Sequence, residues 1–195
     1  MNKEYNFYYW GPFLFKMKMS PEEIQKILSF CKKDKKLDVR QELAGHINEE
    51  YLLNNENISP LLILYVQLYL KARYEHMKIP FEGKIQMDKV WVNYMKEGEF
   101  NPPHVHMGDL SCVLYLQIPK DMNKNKNYVA TSEAPGSIQF IYGENLKNNL
   151  SSQTFFPETG DLFIFPAWLR HYVFPFKSDE ERISLSANFW EIKEP

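Results

Sequence analysis

The sequence predicts an α+β protein in which helices cover one face of an antiparallel sheet or barrel. Up to about residue 80, apolar residues recur mainly with the helical period of 3.6, whereas beyond it short runs alternate with a period of two. An order of one strand, two helices and then several strands favours α+β over a repeating strand–helix pattern. At 195 residues the chain is long enough for one domain with a substantial core.

The N-terminal part, residues 1–80, is expected to contain a strand and two helices. Loose alternation over residues 5–19 indicates the strand. Ser20, Pro21 and Glu23 form a capping-box start for the first helix. One apolar face then follows at helical spacing, through Ile24, Ile27, Leu28 and Cys31. The lysine-rich run 32–36 is expected to end this helix.

The second helix is predicted to start at Ser59-Pro60 and to run to about Met77, after a loop-rich stretch over 37–56. Beyond it, turn-like segments separate candidate strands, and residues 120–127 are expected to form a solvated loop. The candidate strands are 84–95, 111–118, 137–142, 161–165 and 182–191.

Composition and charge give no support to several classes of function. A formal net charge of -2 indicates neither nucleic acid nor an anionic membrane as a partner. The two cysteines cannot form a disulfide framework, which favours a reducing cytoplasm. No signal peptide is visible, and the apolar run Leu61–Val66 is far shorter than the roughly 20 residues that span a bilayer. The oligomeric state is not readable from the sequence.

Two of the five histidines, His104 and His106, lie one residue apart in the stretch 101–109. In extended backbone, side chains at i and i+2 point the same way, so two imidazoles can converge on a metal. Hydrogen-bonded surface histidines are the alternative. A third histidine, His171, ends a compact motif of turn, strand and proline that begins at Gly160. An antiparallel barrel would bring the two motifs together.

The last candidate strand alternates strictly between polar and apolar residues over 182–189. Its polar face carries Arg182, Ser184, Ser186 and Asn188. Such a face is either solvated or lines an internal pocket. In a pocket, the guanidinium of Arg182 would bind a carboxylate through paired donors, and Ser184 would add a hydroxyl on the same side.

The spaced histidines, the distal histidine and the arginine–serine pair together resemble the iron(II)- and 2-oxoglutarate-dependent oxygenases. The residues that carry the resemblance are His104, His106, His171, Arg182 and Ser184. The resemblance covers about residues 85–192. It implies a double-stranded β-helix (a jelly-roll, cupin-like core, about 81–192) with the N-terminal helices packed on one sheet.

The resemblance also implies chemistry. It implies Fe(II) and 2-oxoglutarate as cofactors, O₂ as co-substrate, and hydroxylation of a substrate. The three histidines would form the metal site. Arg182 and Ser184 would bind the distal carboxylate of 2-oxoglutarate. Four segments carry a narrower resemblance, to oxygenases of bacteria and their phages: Trp91–Tyr94, Asn101–His106, Ser111–Pro119 and Phe165–His171. It implies a bacterial cytoplasm, or a host cytoplasm if a phage encodes the protein.

One position departs from the family pattern, because His106 stands where an acidic ligand is usual. Asp109, three residues on, is the alternative third ligand. Asn93, Tyr115 and Asn188 are further candidate pocket residues, each with packing as its alternative role.

Two other functions stay open at this point: a cupin-like three-histidine metal enzyme that does not use 2-oxoglutarate, and a non-catalytic jelly-roll binding module. The substrate could be a small metabolite, a nucleotide, a lipid, or a peptide or protein residue.

Overall fold

A computed structural model describes residues 11–122 and 135–192. Within these residues the chain forms ten β-strands and two α-helices, and two short 3₁₀ turns. In chain order the elements are β1 Phe15–Lys18, α1 Pro21–Leu28, β2 Glu50–Leu52, α2 Asn55–Met77, β3 Lys84–Met95, β4 Asn101–His104, β5 Leu110–Gln117, β6 Ile138–Ile141, β7 Ser152–Phe155, β8 Asp161–Pro166, β9 Arg170–Val173 and β10 Arg182–Ile192.

The described strands form two antiparallel sheets. The large sheet has the order β1-β8-β5-β10-β3-β2, and the small sheet has the order β4-β9-β6-β7. Their inner faces meet in an apolar cluster to which the large sheet contributes Tyr115 and Phe163, and the small sheet Phe140 and Val173. This arrangement confirms the α+β class and the double-stranded β-helix.

Both helices cover the outer face of the large sheet. Ile27 from α1 and Leu62 from α2 are buried in one apolar cluster with Leu114 and Leu185 from the sheet. The predicted capping box is present, since Ser20 accepts from the backbone N–H of Glu23 and the Glu23 carboxylate accepts from that of Ser20. These contacts explain why α1 starts at Pro21 and which face it buries.

The predicted boundaries of the helices need correction. α1 ends at Leu28, so the lysine run 32–36 follows a loop rather than ending the helix. α2 begins at Asn55 rather than at Ser59-Pro60. The Asn54 side chain accepts from the Glu56 backbone N–H at 2.8 Å and caps this earlier start. Ile58 is fully buried, so packing extends the helix one turn before Pro60.

The five predicted strands are all present, but four short strands were not anticipated: β2, β4, β7 and β9. Each has only three or four residues, too few for alternation to be visible. Of the strand predicted over 5–19, residues 15–18 form β1, while residues 5–10 lie outside the described residues. Residues 123–127 of the predicted loop also lie outside them. In the described chain, no helix combines the length and apolar character needed to cross a membrane.

Candidate metal and ligand site

A cavity of about 280 Å³ lies between the two sheets. The cavity is lined by all eight residues that we selected first as site candidates from the sequence: Asn93, His104, His106, Tyr115, His171, Arg182, Ser184 and Asn188. The polar face of β10 therefore points into the interior rather than to solvent. The sequence left this choice open, and the second sheet decides it.

Strand pairing brings the three histidines together. β4 pairs with β9 so that His104 lies directly opposite His171. Two residues beyond His104, the backbone N–H of His106 donates to the carbonyl of Ala167 at 2.9 Å. One nitrogen from each of the three imidazoles lies within 4.8 Å of the others, and Nε2 of His106 is 3.2 Å from Nε2 of His171. Three ligand atoms this close together could hold a metal ion.

Backbone carbonyls orient two of these rings. Nδ1 of His104 lies 2.7 Å from the carbonyl oxygen of Pro102, and Nδ1 of His171 lies 2.9 Å from that of Leu169. A ring that donates from Nδ1 keeps an unprotonated Nε2, which is the form that binds a metal. Both rings therefore present a lone pair toward the cluster.

Burial disfavours the charged form of all three imidazoles. It lowers the pKa of His104, and lowers that of His106 to about 2 and that of His171 to about 3. The neighbouring histidines add to the decrease at His106 and His171, because two positive charges so close would repel. Neutral imidazole is the state that a metal ion requires.

The alternative ligand, Asp109, lies elsewhere. It is exposed, and its carboxylate accepts a hydrogen bond from the backbone N–H of Glu191 at 2.7 Å. Its own backbone N–H donates to the carbonyl of Phe189, and its carbonyl accepts from Ala167. These bonds hold the loop after His106 against the end of β10. Among the described residues, the convergent group contains the three histidines and not Asp109.

Arg182 is a buried cation in the cavity lining, at the start of β10. It is 2% exposed, and no described carboxylate forms an ion pair with it. Its Nη1 donates to the carbonyl of Gly136 at 3.0 Å, and its guanidinium carbon lies 5.2 Å from the ring centre of Phe176. Burial lowers its pKa, and its Nε has no hydrogen-bond partner among the described residues. A buried guanidinium in this condition indicates a place for an anion.

Polar side chains of three neighbouring strands lie beside Arg182. In the sheet register Ser184 is opposite Asn93 on one side and Tyr115 on the other. Nδ2 of Asn93 donates weakly to Oγ of Ser184 at 3.4 Å, while the Tyr115 hydroxyl has no partner among the described residues. Near the other end of β10, Oγ of Ser111 donates to Oδ1 of Asn188 at 3.0 Å.

Among the other residues that line the cavity, Trp91 and Glu50 were not nominated as site residues from the sequence. Trp91, on the same face of β3 as Asn93, has its ring centre 5.8 Å from that of His106. Glu50, on β2, is 1% exposed and lines the same cavity. Period-two spacing from Asn93 could have revealed Trp91, but nothing local distinguishes Glu50 within the polar stretch 37–56.

Several solved structures share this fold. The Pseudomonas putida prolyl-4-hydroxylase is 15% identical with a TM-score of 0.59, over 93% of this chain and 94% of that one. The viral collagen prolyl hydroxylase of Paramecium Bursaria Chlorella virus-1, solved as a 2-oxoglutarate complex, is 16% identical with a TM-score of 0.60, over 92% and 96%. HygX from Streptomyces hygroscopicus, solved with nickel, 2-oxoglutarate and hygromycin B, is 11% identical with a TM-score of 0.57, over 94% and 87%.

Sequence comparison assigns the family. At these identities the solved structures establish the fold alone. No curated protein matches the chain in sequence. A family profile described as 2OG-Fe(II) oxygenase matches residues 89–188, which is just over half of the chain and includes every predicted site residue. The chain therefore belongs to the iron(II)- and 2-oxoglutarate-dependent oxygenases.

Proposed function

We propose that His104, His106 and His171 bind iron(II) in this oxygenase, and that Arg182 with Ser184 and Tyr115 binds the distal carboxylate of 2-oxoglutarate. The observation that carries the proposal is a buried guanidinium without a carboxylate partner among the described residues, in the same cavity as three convergent imidazoles. His106 takes the place of the usual acidic ligand.

The residues present fit both groups. Three neutral nitrogens within 4.8 Å suit a borderline divalent metal such as iron(II). Nε of Arg182 and the hydroxyl of Tyr115 are unsatisfied donors, and 2-oxoglutarate offers only acceptor oxygens near neutral pH. A carboxylate bound between them would satisfy both donors and neutralise the buried charge.

The protein's own contribution is orientation and exclusion of water. The carbonyls of Pro102 and Leu169 hold the rings of His104 and His171 in the metal-binding tautomer. The ring of Phe165, 4.8 Å from that of His171, makes one side of the cluster apolar. When bound, iron(II) and 2-oxoglutarate supply the O₂-dependent oxidative decarboxylation that drives oxidation of a substrate.

We propose hydroxylation of a small molecule or a peptide as the reaction. Solved relatives named as prolyl hydroxylases, and one solved with hygromycin B, support both substrate classes. Free thiols at Cys31 and Cys112 support a reducing cytoplasm. Because β1 completes one edge of the large sheet and the helices cover its outer face, we treat residues 1–195 as one domain.

Succinate release tests the proposal. The purified protein is supplied with Fe(II), 2-oxoglutarate and O₂ and screened against peptide and metabolite pools. We expect succinate release that requires 2-oxoglutarate, increases with a matching pool, and is lost in His104→Ala. Metal binding without any effect of 2-oxoglutarate would favour the three-histidine enzyme of another reaction class, and the absence of metal binding would favour a binding module.

A further inference from the structure

Glu50 is a buried carboxylate with no role in the site described so far. It is 1% exposed, its side chain lines the histidine cavity, and its Oε2 has no hydrogen-bond partner among the described residues. A carboxylate removed from water without a partner is strongly unfavourable. Glu50 is therefore best explained by a ligand group that the cavity receives.

The unsatisfied atoms in the cavity fall into donors and acceptors. Arg182 Nε and the Tyr115 hydroxyl are donors that suit 2-oxoglutarate, whereas Glu50 Oε2 and Asn93 Oδ1 are acceptors. 2-Oxoglutarate has no donor near neutral pH, so it cannot satisfy the acceptors. The two acceptor residues are direct partners across β2 and β3, where Glu50 pairs with Asn93. A second ligand with donor groups would satisfy both acceptors at this place.

The charge of the surrounding wall specifies that ligand further. Glu42 and Asp88 line the same cavity near its mouth, together with Lys89, which forms an ion pair with Glu42. With Glu50, three carboxylates and one ammonium group line this wall, and the carboxylates of Asp38 and Glu99 and the guanidinium of Arg40 also act on Glu50. The negative excess favours a positive group over a neutral donor.

The place also lies beside the metal cluster. Trp91 is on the same cavity face as Asn93, and its ring is next to that of His106. A group bound at Glu50 would extend along Trp91 toward the histidines, and an aromatic wall tolerates a cation well.

We propose that Glu50, assisted by Asn93, binds a protonated amine of the organic substrate and so selects cationic nitrogen compounds as the substrate class. The proposal rests on the oxygenase function proposed above. Burial and the nearby carboxylates of Glu99 and Asp38 raise the pKa of Glu50 to about 7. An ammonium group donating to Oε2 would stabilise the ionised form and oppose that rise.

Matched pairs of probes test this. The protein loaded with Fe(II) and 2-oxoglutarate is titrated without oxygen with agmatine, spermidine and the peptide acetyl-Gly-Lys-Gly-amide, each beside its N-acetylated derivative. Calorimetry gives the dissociation constants. We expect at least one amine to bind about tenfold or more tightly than its acetylated form, as a charged hydrogen bond predicts. Glu50→Gln should abolish that preference, and Glu50→Asp should keep part of it.

Glu22→Gln is the matched control, because it makes the same change at an exposed position on α1. It should keep the amine preference. Equal binding of amines and acetylated forms, an unchanged preference in Glu50→Gln, or no amine binding below about 1 mM would each overturn the inference. If 2-oxoglutarate binds normally in those cases, only this inference fails. A protein that binds no 2-oxoglutarate would overturn the proposed function as well.

Discussion

The two faces of β10 have opposite characters. On the outer face Leu185, Ala187 and Phe189 are fully buried against the helices, and apolar packing needs no directional partner. On the inner face Arg182, Ser184, Ser186 and Asn188 are almost as buried, yet they are polar. One strand thus contributes to a closed core on one side and to a ligand cavity on the other.

The unsatisfied atoms show what this difference means. Six buried side chains in the described chain have a polar atom without a hydrogen-bond partner, and four of them line the cavity: Glu50, Asn93, Tyr115 and Arg182. Native proteins rarely leave such atoms unpaired. The outer face therefore stabilises the fold, whereas the inner face gives up stability to bind ligands.

The largest expected effect concerns the histidine cluster on the inner side. His171→Ala removes one of three converging nitrogens. We expect succinate release to fall by at least about 100-fold. Replacing a residue that only contacts a metal ligand can already cost that much activity, and His171 is itself the proposed ligand. Iron content after anaerobic loading should fall with it. His76→Ala, at the end of α2, is the control and should leave both unchanged. Full activity in His171→Ala would show that His171 is not part of the metal site.

On the outer face, the large effect should be on stability. Leu185→Ala leaves a void in the core between sheet and helices, and we expect the free energy of unfolding to decrease by about 2–5 kcal/mol. Urea unfolding measures it. Ser184→Ala, the preceding residue on the inner face, should change stability far less and instead weaken 2-oxoglutarate binding. Similar losses of stability in both variants would contradict the division between the faces.

Glu50 should make stability depend on pH. Burial raises its pKa to about 7 from the ordinary value of 4.5; Glu99 and Asp38 add to the rise, and Arg40 opposes it. Between these values the folded state holds a proton that the unfolded state has lost, so stability decreases as pH rises through this window. We expect Glu50→Gln to recover on the order of 3 kcal/mol at about pH 8 and nothing below about pH 4.5.

Urea unfolding across that range, in the substrate-free protein, measures the effect, with Glu22→Gln as control. If Glu50→Gln and the unchanged protein lose stability in parallel as pH rises, Glu50 does not carry an uncompensated charge.

The buried cation offers a smaller effect that separates binding from folding. In Arg182→Met an apolar side chain of similar length replaces the guanidinium. We expect the KM for 2-oxoglutarate to rise about 10- to 100-fold, because the carboxylate loses a hydrogen bond to a charged donor. Stability should stay equal or increase, because a buried charge without a carboxylate partner is removed. Strong destabilisation with an unchanged KM would show that Arg182 is structural.

The site was largely predictable where the chain repeats a simple period. Spacing along an extended strand predicts which side chains share a face. This holds for His104 and His106, and for the alternation from Arg182 to Asn188. Whether the alternating face of β10 meets water or a cavity depends on the second sheet, which no local pattern encodes.

The unpredicted parts depend on contacts between distant segments. Glu50 lies on a three-residue strand that exists because β3 pairs with it. The early start of α2 follows from the burial of Ile58 under the sheet, which outweighs the signal of Pro60. The pairing of β2 with β3 is not visible in a window of sequence, because its partner lies dozens of residues away, whereas the early start of α2 also has a local signal in its cap, Asn54.

The most direct test of the ligand cavity is an anaerobic titration of the Fe(II)-loaded protein with 2-oxoglutarate, followed by visible absorbance. A charge-transfer band that saturates at one equivalent in the unchanged protein, and that needs far more 2-oxoglutarate in Arg182→Met, is the predicted result. A protein that binds iron but develops no band, or a band equally strong in Arg182→Met, would contradict the assignment of the inner face of β10.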